Sequence, residues 1–248
     1  MYQVASWHEV GLWHGICDRN VDVSQGYDVW RQSFSNQTLF LLNQVHGTEI
    51  VDVPTTSEKA NMLLSLPPDA DAWVGNIGNV PSGYVFGIKT ADCAPVLMFS
   101  KSSGFFVVAH CGWKSAVSHL CARCIELATK RGVDIPSLEI VIAPCASVKN
   151  YEIGKDVQDA LMEWRKEFDV DESVINGSLG DKGGVLEIRG NRAYLNLLNL
   201  LKIEAISCGV KENNIKALSI CTIENENYFS VRREQMQCGR QVTFIGKM

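Results

Sequence analysis

The sequence contains no run of about 18 apolar residues, which excludes a membrane-spanning helix. Its opening stretch, Met1-Tyr2-Gln3-Val4-Ala5-Ser6-Trp7-His8-Glu9, has neither a charged leader nor an apolar segment, so no secretory signal is expected and a cytoplasmic setting follows. Basic charge is also in short supply. Lys and Arg number 23 against 28 Asp and Glu, a formal net charge of −5, which offers no field for a phosphodiester backbone. Neither nucleic acid nor a membrane is an expected partner, and a small anion has to be drawn in by local Arg and Lys side chains. There is no internal repeat, no low-complexity tract and no linker. Several catalytic signatures are missing as well: G-x-S-x-G, H-E-x-x-H, a Walker loop, and the H-x-E with P-C-x-x-C of cytidine-type deaminases.

What is present is ordinary globular composition. The 248 residues are 46% apolar and 21% charged, which suits one domain over residues 1–248 with a sizeable core. The nine cysteines are an odd number, and a reducing compartment disfavours disulfides, so buried thiols with one or two functional ones are expected. Short apolar runs bounded by Gly, Pro, Ser or Asn predict strands over 38–45, 49–53, 84–89, 95–100, 105–109, 139–143, 215–220 and 241–245. Helical spacing predicts helices over 115–131, over 156–168 with Asp156 as N-cap, and over 189–208 ending at Gly209. Pro67-Pro68-Asp69 reads as a turn. The polar stretch 169–184, with Gly177, Gly180, Gly183 and Gly184, reads as an exposed loop. Runs of strands broken by a few helices point to α+β layers with mixed sheets.

Histidine is scarce, five in all, and two of the five sit where a strand runs into a turn: His46 in Asn43-Gln44-Val45-His46-Gly47, and His110 in Val107-Val108-Ala109-His110-Cys111-Gly112-Trp113. Between them Cys93 lies in Thr90-Ala91-Asp92-Cys93-Ala94-Pro95. Two imidazoles and a thiolate form a tetrahedral set with one open position, the pattern of catalytic zinc. The gaps, 47 residues and then 17, match no short zinc motif. On spacing alone, two satisfied histidines and one buried thiol explain the same residues.

Five blocks in order carry a resemblance. They are Gln44-Val45-His46-Gly47, Thr90-Ala91-Asp92-Cys93-Ala94-Pro95-Val96-Leu97, Ala109-His110-Cys111-Gly112-Trp113, Tyr151-Glu152-Ile153-Gly154, and Arg232-Arg233 followed by Cys238-Gly239-Arg240. From about Gly11 to the C-terminus the chain resembles the family once called laccase-domain or multicopper polyphenol oxidases, the YfiH and YlmD type. That resemblance implies a four-layer α/β/β/α fold and zinc on His46, Cys93 and His110. It also implies phosphorolysis of adenosine, inosine, guanosine and methylthioadenosine, with adenosine deamination as a second activity. Purine nucleosides and phosphate are then the partners, and the protein is a monomer or small homo-oligomer. The older reading of the family is copper-dependent phenol oxidation.

The chain departs from the family at Gly112-Trp113-Lys114-Ser115, where Arg is usual in place of Lys114. It departs again at Cys17-Asp18-Arg19-Asn20-Val21-Asp22, which keeps Arg19 as a phosphate candidate but drops the flexible glycines. Lys149 and Asn150 replace two family cysteines. Arg232, Arg233 and Arg240 are further candidates for a phosphate or ribose site, against solvated charge as the alternative. Asp92 is a candidate to orient a ligand imidazole, or else to stabilise its turn. Cys121 and Cys124 fall on the apolar side of a helix and read as buried thiols, with His119 beside them at the surface. Cys111, next to His110 on a strand, should face away from the metal.

Three other readings compete with the phosphorylase. A copper oxidase of the blue type needs far more imidazoles than five. A metal-free Cys–His hydrolase would use Cys93 as nucleophile and His110 as base. A nucleoside-binding module would have no turnover.

Overall fold

The two longest central strands are buried at every position: Ala94–Phe99 and Phe105–Cys111. A sheet whose strands hide on both faces has to be covered on both faces. Its side chains divide by the period-two rule, Val96, Met98, Val107 and Ala109 entering one apolar cluster and Leu97, Phe99, Phe106 and Val108 another. In the computed structural model, which describes residues 1–24, 26–34, 36–168, 170 and 184–247, this sheet has six strands. Their spatial order is Ile215–Ala217, Glu139–Ile142, Ala94–Phe99, Phe105–Cys111, Ala72–Asn76 and Ile50–Asp52. The outermost pair on each side is parallel and the inner pairs are antiparallel.

The first cluster is closed by the helices Leu120–Lys130, Lys155–Glu167 and Leu197–Ser207. Against it also rests a small antiparallel sheet of Leu186–Arg189, Arg192–Leu195 and Glu152–Ile153. The second cluster is closed by a four-stranded mixed sheet in the order Trp13–Ile16, Gln241–Gly246, Tyr84–Thr90 and Thr38–Phe40. On its far face Val85, Val242 and Phe244 pack with Trp13 and with Trp30 of the short helix Asp28–Ser33. Helix, sheet, sheet, helix: the α+β, four-layer, mixed-sheet expectation holds. Among the described residues no helix is long and apolar enough to cross a membrane.

Several element boundaries differ from expectation, each for a local reason. The helix expected over 115–131 is two, Trp113–Val117 and Leu120–Lys130, because His119 takes a left-handed φ of 67° between them. His119 is half-buried instead of exposed, pairing with Glu167 and with the buried Glu204 on two other helices. The segment expected as one helix over 189–208 opens as a hairpin that turns at Gly190, φ 60°. Its helix starts only after Asn196, whose side chain accepts the Asn199 N–H at 3.1 Å. It ends at Gly209 with φ 94°, as expected. Gly154, not Asp156, occupies the N-cap of Lys155–Glu167. The strand expected over 38–45 stops at Phe40. Trp13–Ile16 and Ala72–Asn76 are strands that the sequence pattern hides, since each is interrupted by Gly and flanked or filled by a polar residue. The expected loop over 169–184, with Gly177, Gly180 and Gly183, falls almost wholly outside the described residues. All nine cysteines are free, with Cys121 and Cys124 buried as expected.

Candidate metal centre

Twice the chain crosses from the four-stranded sheet to the six-stranded one, and each crossing carries a chemical group. The segment from Thr38–Phe40 to Ile50–Asp52 carries His46, and the turn from Tyr84–Thr90 to Ala94–Phe99 carries Cys93. Both turns need left-handed backbone at a non-glycine residue, φ 60° at His46 and φ 93° at Asp92. Such conformations persist only where surroundings over-determine them, and they collect at functional sites. The third group, His110, lies near the end of Phe105–Cys111 on the face turned toward the space between the sheets. His46 is exposed, Cys93 half-buried and His110 buried.

The three side chains converge. Their ligand atoms lie within 4.8 Å of one another, with Cys93 Sγ 3.9 Å from His46 Nε2. A tetrahedral zinc with nitrogen at ~2.1 Å and sulfur at ~2.3 Å needs donors roughly 3.4–3.6 Å apart, so small side-chain rotations close the set. Gly112 lets them meet: a Cβ there would come 2.8 Å from the His46 ring and 3.1 Å from Cys93 Sγ. The residues therefore fit a borderline-soft cation such as zinc or copper.

Asp71 organises the site, and sequence reasoning passed over it. The residue is buried, one step before Ala72–Asn76 and directly across from His110, whose N–H donates to the Asp71 carbonyl at 2.7 Å. Asp71 Oδ1 accepts from His46 N–H at 3.0 Å and from His110 Nδ1 at 2.8 Å; Oδ2 accepts from Gly47 N–H at 2.6 Å. One carboxylate thus fixes the His46 loop and holds His110 with Nδ1 protonated, leaving Nε2 as the donor toward Cys93. The only signal in the sequence is an acid inside the apolar run Ala70-Asp71-Ala72-Trp73-Val74. Burial works to raise the Asp71 carboxyl, but His110 and the Gly47 and His46 amides outweigh it and hold it below its ordinary value.

The side chains themselves form a polarised pair. Burial would raise the Cys93 thiol, yet His110 and His46 bring it down to about 6. Burial would likewise lower His110, yet Cys93 and Asp71 lift it to about 9. At neutral pH the pair is a thiolate beside an imidazolium, so a metal binding here has to displace the His110 Nε2 proton. Cys111 behaves oppositely: it packs in the helix-side cluster, away from the site, and burial keeps its thiol well above the usual range.

The site opens into a cavity of about 680 Å³, within the range of small-molecule pockets. Trp113 and Tyr151 line it, together with the cations Lys89, Lys114, Arg232 and Arg240. Arg19 and Arg233 do not. Arg19 donates to the Glu226 carbonyl and pairs with Glu234 at 2.9 Å, and Arg233 donates to the carbonyls of Thr222, Ile223 and Tyr228. Asp92 touches no imidazole. Its Oδ1 accepts from Thr222 Oγ1 at 2.7 Å and its Oδ2 from Arg232 N–H at 2.8 Å, so it ties the Cys93 turn to the C-terminal segment.

Fold and site define a four-layer α+β protein with three potential metal donors gathered at the junction of two sheets. The chain belongs to the family described as multi-copper polyphenol oxidoreductase laccase, which it matches over residues 4–248. It is 30% identical to a purine nucleoside phosphorylase of Staphylococcus epidermidis, over 82% of this chain and 71% of that one. It is 26% identical to adenosine deaminase RL5 of an unknown prokaryotic organism, over 66% of this chain, and spans 58% of that protein's length. The fold is that of the Bacillus licheniformis hypothetical protein YfiH, with TM-score 0.78 at 18% identity, covering 98% of this chain and 94% of that one. YlmD from Geobacillus stearothermophilus matches with TM-score 0.77 at 19% identity, over 96% of this chain and 92% of that one.

Proposed function

We propose that this protein is a zinc-dependent purine nucleoside phosphorylase that also deaminates adenosine. The observation that carries the reading is the opening of the His46, Cys93 and His110 donors onto a cavity with aromatic walls and a basic lining, in a chain whose net charge is −5. The names of the relatives in Staphylococcus epidermidis and of RL5 support the same two reactions. Trp113 offers a half-exposed face against which a purine can stack, while Tyr151 is buried beneath the Arg232 guanidinium. Arg232, with its guanidinium 5.0 Å above the Tyr151 ring, and Lys114, 5.7 Å above Trp113, hold positive charge beside those rings. Such a local field raises the concentration of phosphate at the site against the overall negative charge. Arg19, bound to Glu234, instead braces the short helix Val231–Glu234, which contributes Val231 and Arg232 to the cavity. Bound at the three donors, zinc supplies a Lewis acid that polarises an oxygen of substrate or water. Asp71 keeps His110 oriented through the reaction, and His46, at the exposed rim, is the donor that substrate approaches first.

Chromatography of purine products from adenosine and inosine tests the reading, with and without phosphate, on zinc-loaded and copper-loaded protein. The zinc form should release free base only with phosphate, and should yield inosine or hypoxanthine from adenosine. Activity confined to the copper form and to phenols would instead establish the oxidase that the family description names. The low Cys93 thiol beside His110 favours one further reading, a metal-free Cys–His hydrolase. Full activity after chelation would establish that one.

A further inference from the structure

Two cations at the cavity wall stand side by side, and among the described residues neither is in an ion pair. Lys89 is the penultimate residue of the strand Tyr84–Thr90 and is registered against Val242, two residues beyond Arg240. Period-two alternation puts Arg240 on the same face as Val242, so Lys89 and Arg240 are diagonal neighbours, within reach of each other's long side chains. Both line the cavity. Among the described residues neither forms an ion pair with a carboxylate. Burial, followed by the charge of Arg240, holds the Lys89 ammonium below its ordinary value.

The surroundings orient Arg240, and the only carboxyl shown to feel its charge, Asp22, is engaged by backbone N–H groups and forms no side-chain ion pair with it among the described residues. Arg240 Nη1 donates to the carbonyls of Cys238 at 2.6 Å and Gly239 at 2.9 Å, which leaves Nε and Nη2 unclaimed among the described residues. Asp22, the acid nearby, accepts the backbone N–H groups of Ser24 and Arg240 at Oδ1, both at 2.9 Å. Lys89 is anchored by its backbone, with Gln44 Nε2 donating to its carbonyl at 2.8 Å and Gln44 Oε1 accepting its N–H at 2.7 Å. The backbone is fixed, while no described residue is in an ion pair with the ammonium.

Two half-buried like charges repel, and a dianion between them removes that cost. We propose that Lys89 and Arg240 form a phosphate subsite of the cavity, the guanidinium supplying a planar fork and the ammonium a point charge. The subsite rests on the proposed reaction only for the origin of the phosphoryl group, which is either inorganic phosphate or the 5′-phosphate of a nucleotide.

Calorimetric titration of the zinc-loaded protein tests this with three probes: inorganic phosphate, adenosine 5′-monophosphate and adenosine. Lys89→Met should weaken binding of a phosphate-bearing probe by about tenfold or more, leave adenosine unchanged, and flatten the salt dependence. Lys89→Arg should restore it, which a role in folding would not predict, and circular dichroism confirms that both variants are folded. Loss for inorganic phosphate alone assigns a cosubstrate site, and loss for the nucleotide alone assigns a 5′-phosphate site. Native protein that binds neither probe, or Lys89→Met protein that binds both at native affinity, overturns the proposal. If phosphate binds through Lys89 but adenosine is not cleaved, the reaction fails and the subsite stands. If adenosine is cleaved with phosphate at native KM in Lys89→Met, the subsite fails and the reaction stands.

Discussion

Asp71 is the residue on which the centre turns. It reaches His46, Gly47 and His110 with one carboxylate, so Asp71→Asn should leave the donors present but loosely held. Orienting partners of this kind are worth about 10–100-fold in metal affinity. Competition with a chromophoric chelator should show a loss of that size for the folded variant, whereas native affinity would reduce Asp71 to a turn former. Gly112→Ala makes a second case, because its methyl would lie 2.8 Å from His46 and 3.1 Å from Cys93 Sγ. Zinc stoichiometry should drop well below that of the native protein while the thermal midpoint moves little, since the crowding falls on two side chains at the cavity edge. The candidate donors were legible in sequence, each sitting in a short motif, although His46 lies in a crossing segment well beyond the end of its strand. Asp71 and Lys89 were not, because a lone acid in an apolar run and a lysine near the end of a strand acquire meaning only from what lies across the sheet.

Elements show the same division. Strand positions buried on both faces announce themselves as apolar runs, and those expected strands are present with shifted ends. Trp13–Ile16 escaped because His14 breaks its apolar character, yet His14 is buried, accepting the Val4 N–H at Nε2 from 2.7 Å. The two-helix form of 113–130 escaped because His119 leaves a left-handed break that helical spacing cannot register. Burial and the neighbouring His8 lower the His14 imidazole to about 4. Its folded pKa lies below the unfolded value of about 6.5, so between those limits the unfolded chain binds more protons. Stability should therefore be flat above pH 6.5 in this respect and fall as pH drops toward 4, by up to roughly 3 kcal/mol. Urea midpoints at pH 7 and pH 5 check this, and His14→Gln should show a shallower decline. An equal decline in the variant would assign the effect to other groups.

For the molecule as a whole, the layering places the catalytic candidates where two sheets are joined by crossing loops, so fold and site are one construction. The four-layer arrangement came from family motifs, since periodicity alone distinguishes strands from helices but not which sheet a strand joins. We propose that residues 1–248 fold as a single domain, because Gln241–Gly246 fills an interior position between Trp13–Ile16 and Tyr84–Thr90. Limited proteolysis should then release no independently folded half. The central claim, that His46, Cys93 and His110 hold zinc for purine chemistry, is tested most directly at the metal. X-ray absorption at the zinc edge, on protein purified without added metal, should show about one zinc per chain. The predicted shell has nitrogen donors at ~2.1 Å and one sulfur at ~2.3 Å, with the sulfur lost in Cys93→Ala. A shell without sulfur, or a metal-free protein that retains full activity on adenosine, would contradict it.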